Sequence, residues 1–180
     1  LPTLWLRNTW SWGYPDEVSR MIRPDPARAG AVLSEPIPHL GTYRLSCREE
    51  GPWLFTDNET NSERLWGVAN PTPYQKDGFH RYVVEGEKEA VNPAAEGSKA
   101  ACLLEHTLAP GEEWVVALRL SSTGSGEGTD PFGPEFEATF ADREREWLEY
   151  FQHRVPDLSE EDRSIHLAGT AGLLWCKKYY

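Results

Sequence analysis

The chain has no starting methionine, no Cys-x-x-Cys pair and no Gly-x-Ser-x-Gly elbow. Its five histidines, at 39, 80, 106, 153 and 166, never fall into HxxxH or HExxH spacing. Each absence removes a class of chemistry. Without the elbow there is no exposed serine nucleophile of the hydrolase type, and without paired His or Cys ligands there is no zinc signature. Gly124, Gly126 and Gly128 alternate in a segment that no helix follows at once, so they describe a flexible linker and not a phosphate cradle. No apolar window approaches the length that spans a bilayer. Positive charge is also scarce: 18 Lys and Arg stand against 29 Asp and Glu, a net charge of −11, which opposes affinity for a polyanion. Neither nucleic acid nor a membrane is expected as a partner.

What is present is an ordinary globular composition with an aromatic excess. At 180 residues, 39% hydrophobic and 26% charged, the chain suits one domain with a core, or a domain plus the start of another. Eight tryptophans fit two readings, a sandwich core with an interdomain face, or stacking on sugar rings. Cys47, Cys102 and Cys176 are widely spaced in apolar or strand-like surroundings and read as reduced, buried thiols, which favours a cytoplasmic setting. The open start, LPTLWLRNTW, and the end within a helical pattern, GTAGLLWCKKYY, make the chain read as an excised middle.

From residue 2 to about 122 short strands alternate with turn formers. TLWLRNTW and TYRLSCRE each alternate apolar and polar positions, and PWLFTD, HRYVVEG, SKAACLLEHTLA and EEWVVALRLSS continue the series, with Gly51-Pro52, Gly86, Gly97 and Pro110-Gly111 as turns. Pro110-Gly111 carries the clearest hairpin signal. Strands at this spacing without intervening helices imply antiparallel pairing in a sandwich. Three segments read as loops: SWGYPDEVSRMIRPDPARAG, NETNSERLWGVANPTPYQKDGF and STGSGEGTDPFGP. Beyond them the aromatics recur at helical spacing, predicting a helix over about 134–154 with Pro134 in its first turn and Val155-Pro156 at its end. Ser159 followed by Glu160, Glu161 and Asp162 then opens a second helix. The division expected is a β-sandwich over 1–122, a linker and linker helix over 123–156, and a further helix from 157 to 180.

Asp57, Glu59, Asn61 and Glu63 present oxygens at alternate positions, reminiscent of a calcium loop, but no glycine marks the sharp turn and no bidentate acid closes the set. Neither a resident metal nor a cofactor is expected, with calcium at 57–63 left open. Glycoside hydrolysis asks for two flanking carboxylates. Among the 29 acids none is singled out as half of such a pair, although Glu59, beside the amides of Asn58 and Asn61, is the best individual.

Four strings, RNTWSWG, FTDNETNSERLWGVANPTPYQKDGF, VNPAAEGSKAA and LAGTAGLLWCKKYY, resemble in the same order the large bacterial proteins of the glycoside hydrolase family 63 group, relatives of processing α-glucosidase and mannosylglycerate hydrolase. The resemblance implies a mainly β chain: an antiparallel super-β-sandwich fragment followed by two α-helices that lead into a missing (α/α)6 barrel. It further implies that the catalytic acids of an inverting mechanism lie in that barrel, so no residue of this chain receives a catalytic role. Sandwich loops leaning over the barrel mouth would make Trp10, Trp12, Asn58, Glu59, Asn61, Lys76 and Asp77 shape the substrate entrance, with carbohydrate and the barrel of the same protein as partners. The same residues also read as a domain interface, which ranks slightly ahead of a substrate entrance. A carbohydrate-binding module is the alternative, in which Trp10, Trp12, Trp53 or Trp66 forms an exposed stacking platform, and a purely structural sandwich is a third. Unpaired sheet edges would leave the isolated chain poorly soluble or oligomeric.

Overall fold

The computed structural model describes residues 1–7, 9, 13, 18–124 and 130–176. The chain divides into two compact units, Leu1–Pro131 and Phe132–Tyr180. Among the described residues the first holds seven strands in two antiparallel sheets: β1 (Thr3–Trp5), β2 (Ile22–Pro24), β3 (Ala31–Ser34), β4 (Tyr43–Cys47), β5 (Trp53–Thr56), β6 (Lys99–Cys102) and β7 (Leu118–Ser122). One sheet runs β1-β6-β5 and the other β2-β3-β4-β7.

Strand period explains how the sheets meet. Neighbouring residues on a strand face opposite ways, so Phe55 and Ala100, directly paired, face inward with Ile22, Val32 and Leu45 of the other sheet and with Leu6. Leu54 and Ala101, one residue along on each strand, face outward and pack on Phe79 with Tyr82, Val91 and Leu103. The three-stranded sheet is thus covered on both faces. Gly97 has a second function besides marking a turn. It bridges to Ile22 across the gap between the sheets, and a Cβ there would stand 2.3 Å from the Thr56 carbonyl oxygen. Only glycine lets the two backbones approach so closely.

Several segments depart from the pattern expected of them. The first loop contains a hairpin: β2 pairs antiparallel with β3, and Ile22 is fully buried. The prolines disguise it, because Pro24 sits at the strand's end, where a missing N–H is tolerated. Asp25 caps the turn by accepting from the Ala27 N–H at 2.8 Å and forms a buried ion pair with Arg44 of β4. HRYVVEG is no strand. Gly78–His80 is a helical turn, α2, that runs on into a π-helical turn, Arg81–Glu85, closed by Gly86 at a φ of 75°. The cause is tertiary: Phe79 and Tyr82, three apart, both reach the outer sheet face only when the backbone is wound, which leaves Val83 and Val84 exposed.

Pro110-Gly111 does form a turn, with Gly111 at a φ of 80°, but its flanks do not pair as a hairpin. Residues 112–117 are irregular and only Leu118–Ser122 is strand, paired with β4. The Glu49 carboxylate accepts from the Ala117 N–H at 3.0 Å and the Arg48 N–H donates to the Ala117 carbonyl at 3.0 Å, so the segment is tied to the end of β4 instead. The second loop contains a short helix, α1 (Ser62–Trp66), between an Asn61 cap and Gly67 in the left-handed region.

The second unit is a pair of helices, α3 (Pro134–Arg154) and α4 (Glu160–Trp175). Both ends follow local chemistry. Pro134 opens α3, and the Ser159 hydroxyl accepts from the Asp162 N–H at 3.1 Å at the start of α4. Among the described residues of this unit Phe151 is the buried hydrophobic one, its ring 4.4 Å from that of Trp147 and 5.4 Å from that of His166. Among the described residues no helix is long and apolar enough to cross a membrane.

Candidate functional site

The second loop builds a polar cleft of about 430 Å³, lined by Asn61, Glu63, Arg64, Asn70, Pro73, Arg81, Glu85 and Glu87. Its floor is an amide network. The Asn61 Oδ1 accepts from the Arg64 N–H at 3.0 Å and from Asn70 Nδ2 at 2.9 Å, while Asn61 Nδ2 donates to both Asp77 carboxylate oxygens, at 3.1 and 3.3 Å. Asn70 Oδ1 in turn accepts from the N–H groups of Ser62 and Glu63. Two asparagines therefore satisfy the otherwise orphaned donors at the start of α1 and bind it to Asp77, which precedes α2.

The walls are charged and compensated. Arg64 reaches Asp77 at 3.4 Å and Glu85 at 3.6 Å, and Arg81 reaches Glu87 at 3.5 Å. Arg81 and Glu85 are four apart on the wound turn. On a strand the same spacing would set them roughly 13 Å apart along the chain. A single-turn π element at a cleft is a recurrent feature of binding sites, and here it brings a guanidinium and a carboxylate to one rim. Alternating donors and acceptors of this kind suit a neutral polyol, or the polar part of a protein interface. Among ionisable carboxyls, Glu35 is held low by hydrogen bonding from Arg23, and Glu112 is held low by the Ala109 N–H and by His106. Neither lines the cleft.

The expected site residues separate. Asn61 and Asp77 belong to the cleft's network. Lys76 is exposed and donates from Nζ to the Thr60 hydroxyl at 2.9 Å. Asn58 is a tie within the fold: its Nδ2 donates to the Leu6 carbonyl at 3.1 Å and its N–H to the Ser98 hydroxyl at 2.8 Å. Glu59 lines a different, smaller cleft of about 260 Å³ with Asp57, Thr72 and Ser98. The four oxygens considered for calcium are thereby split, Asp57 and Glu59 on one cleft, Asn61 and Glu63 on the other. Among the described residues no three His, Cys, Asp or Glu side chains group as a metal site. Trp66 is 65% exposed at the end of α1, whereas Trp53 is half-buried and its Nε1 has no hydrogen-bond partner among the described residues. Trp10 and Trp12 lie outside the described residues.

Arg64, Asn70, Arg81, Glu85 and Glu87 were not legible as one group. Asn61-Ser62-Glu63-Arg64 carries a usable helix-start signal, an asparagine cap followed by an acid in the first turn. Nothing local marks Arg81 and Glu85, whose common rim depends on the winding imposed by Phe79 and Tyr82.

The architecture defines a two-sheet antiparallel β unit with a clefted loop on one side, followed in sequence by a helical pair. The uncharacterized protein YMR196W of Saccharomyces cerevisiae is 34% identical over 212 residues, a match that covers 99% of this chain and 19% of the yeast protein. The chain thus spans about a fifth of the length of the curated relative it matches. No family model matches the chain, and no solved structure matches it.

Proposed function

We propose that this chain is the non-catalytic, β-sheet portion of a larger glycoside hydrolase family 63-like protein of the cytoplasm, acting on α-linked glucosyl or mannosyl compounds. In this reading the two sheets are part of a super-β-sandwich and α3 and α4 lead toward an (α/α)6 catalytic barrel, the partner the chain supports. One observation carries it: large apolar side chains lie exposed on both units. Leu120 shares the inward sheet face with Leu45, its direct partner, yet is 55% exposed, against 7% for Leu45. On α4, Ile165, Leu173, Leu174 and Trp175 are all exposed. Large apolar side chains left exposed in this way are available for burial by further chain. The motifs from RNTWSWG to LAGTAGLLWCKKYY add the family likeness, and the polar cleft at Asn61, Asp77 and Arg64 supplies a rim for the substrate entrance.

The test compares this chain with the full-length gene product on α-glucosides, α-mannosides and mannosylglycerate, with reducing sugar as the readout. Release by the full protein alone is expected; release by this chain alone would overturn the reading. A second reading, a carbohydrate-binding module, is favoured by Trp66, exposed at the end of α1. It requires saturable, sugar-dependent quenching of tryptophan fluorescence in this chain that Trp66→Phe abolishes, without hydrolysis by either protein.

A further inference from the structure

Two of the three cysteines meet across the core. Cys47 ends β4 in the four-stranded sheet, two residues beyond inward-facing Leu45. Cys102 ends β6 in the three-stranded sheet, two residues beyond inward-facing Ala100. Period-two alternation therefore aims both side chains into the space between the sheets. Both are buried, and their thiols interact directly with one another. The Cys47 thiol also approaches a Glu49 carboxylate oxygen, at 3.7 Å, and the Cys102 thiol approaches the Gly51 carbonyl, at 3.9 Å. The pair thus sits beneath residues 48–52, the connection that carries the chain from one sheet to the other. Cys176, the third, is exposed in the helical unit.

We propose that Cys47 and Cys102 are a cross-sheet disulfide site, oxidised by a small hydroperoxide. The thiolate of one cysteine attacks a peroxide oxygen, the O–O bond breaks, and a sulfenic acid forms with loss of water once the leaving hydroxide takes a proton. The neighbouring thiol then attacks the sulfenic sulfur, the S–O bond breaks, and a second water leaves. Two thiols are oxidised by two electrons, and one hydrogen peroxide is reduced to two waters. Burial raises both thiols above their ordinary range, Cys102 to about 12, so the reaction is slow at neutral pH and accelerates as pH rises. A small oxidant suits the site because Cys47 is only 8% exposed and Cys102 1%. The product would close a loop of about 55 residues and clamp the two sheets together.

The protein carrying Cys176→Ser, which leaves the sheets untouched, is treated with hydrogen peroxide and followed by intact mass and by non-reducing peptide mapping. The expected result is a loss of about 2 Da, a single Cys47–Cys102 cross-linked peptide, and a melting temperature raised by roughly 5–15 °C that reductant reverses. Cys47→Ser in the same background should abolish the mass change. Failure of the cross-linked peptide to form, its replacement by separate sulfinic acids, or cross-linking between molecules would each overturn the proposal.

Discussion

The two units bury their residues to very different extents. In the first, Ile22, Val32 and Ala100 are fully excluded from solvent and Phe55 nearly so, with contributions from both sheets. In the second, α3 buries Phe151 and α4 buries nothing, although Pro134 opens one helix and Ser159 caps the other. A helix specified by caps and periodicity can be laid out without a core to rest on, but local signals contribute only fractions of the stability that burial does. The sheet unit draws on long-range packing, and the helical unit on sequence-local chemistry.

The largest break in this contrast should come from Phe55→Ala. Removing a buried ring from between the sheets is expected to cost about 3–5 kcal/mol in denaturant unfolding. Phe151→Ala should leave the sheet unit's unfolding midpoint unchanged and remove only near-ultraviolet circular dichroism from the Trp147, Tyr150 and Phe151 cluster. An equal loss of stability from both substitutions would mean that the units unfold as one.

Gly97→Ala comes next, at about 1–3 kcal/mol, because the added Cβ meets backbone, which has no rotamer to yield with. A neutral result would mean that the backbone at Thr56 gives way to the added Cβ at little cost. Ser159→Ala should lower helix content with a cost of about 1 kcal/mol, read as a loss of ellipticity at 222 nm, with Ser159→Asp restoring it. The sheet unit's melting should not respond to either.

The smallest effect concerns pH. Hydrogen bonding from Arg23 depresses the Glu35 carboxyl below its ordinary 4.5 in the folded state. Its stabilisation is therefore complete above the unfolded-state value and is lost as pH falls through the lower folded value. The side chain is 36% exposed, so screening keeps the contribution under about 1 kcal/mol. Glu35→Gln should lower stability near neutrality by under about 1 kcal/mol and flatten the acid limb of a stability–pH curve by the same amount; an unchanged acid limb would show that the pair contributes nothing.

The regions readable in advance are those whose signals are local. The helix over 134–154 and the cap at Ser159 lie where the periodicity and the capping serine predict them. The strands in TYRLSCRE and PWLFTD are also present, each within a short alternating or apolar run. The β2–β3 hairpin was hidden by proline, and the valines of HRYVVEG pointed to a strand that the packing of Phe79 overrode. Of the expected site residues within the described segments, Asn61 and Asp77 come together, while Asn58 and Glu59 are drawn to other tasks by Leu6, Ser98 and the smaller cleft.

The sequence by itself determined the antiparallel, turn-rich character of the first unit, the two helices of the second and the acidic surface. Those properties depend on periodicity, caps and composition within a few residues of one another. Only the tertiary structure decided which sheet each strand joins, that Arg81 and Glu85 share a rim with Arg64, and that Cys47 meets Cys102. These are contacts between residues far apart in the chain, and their formation depends on surface buried jointly by both partners, a quantity that neither segment contains alone.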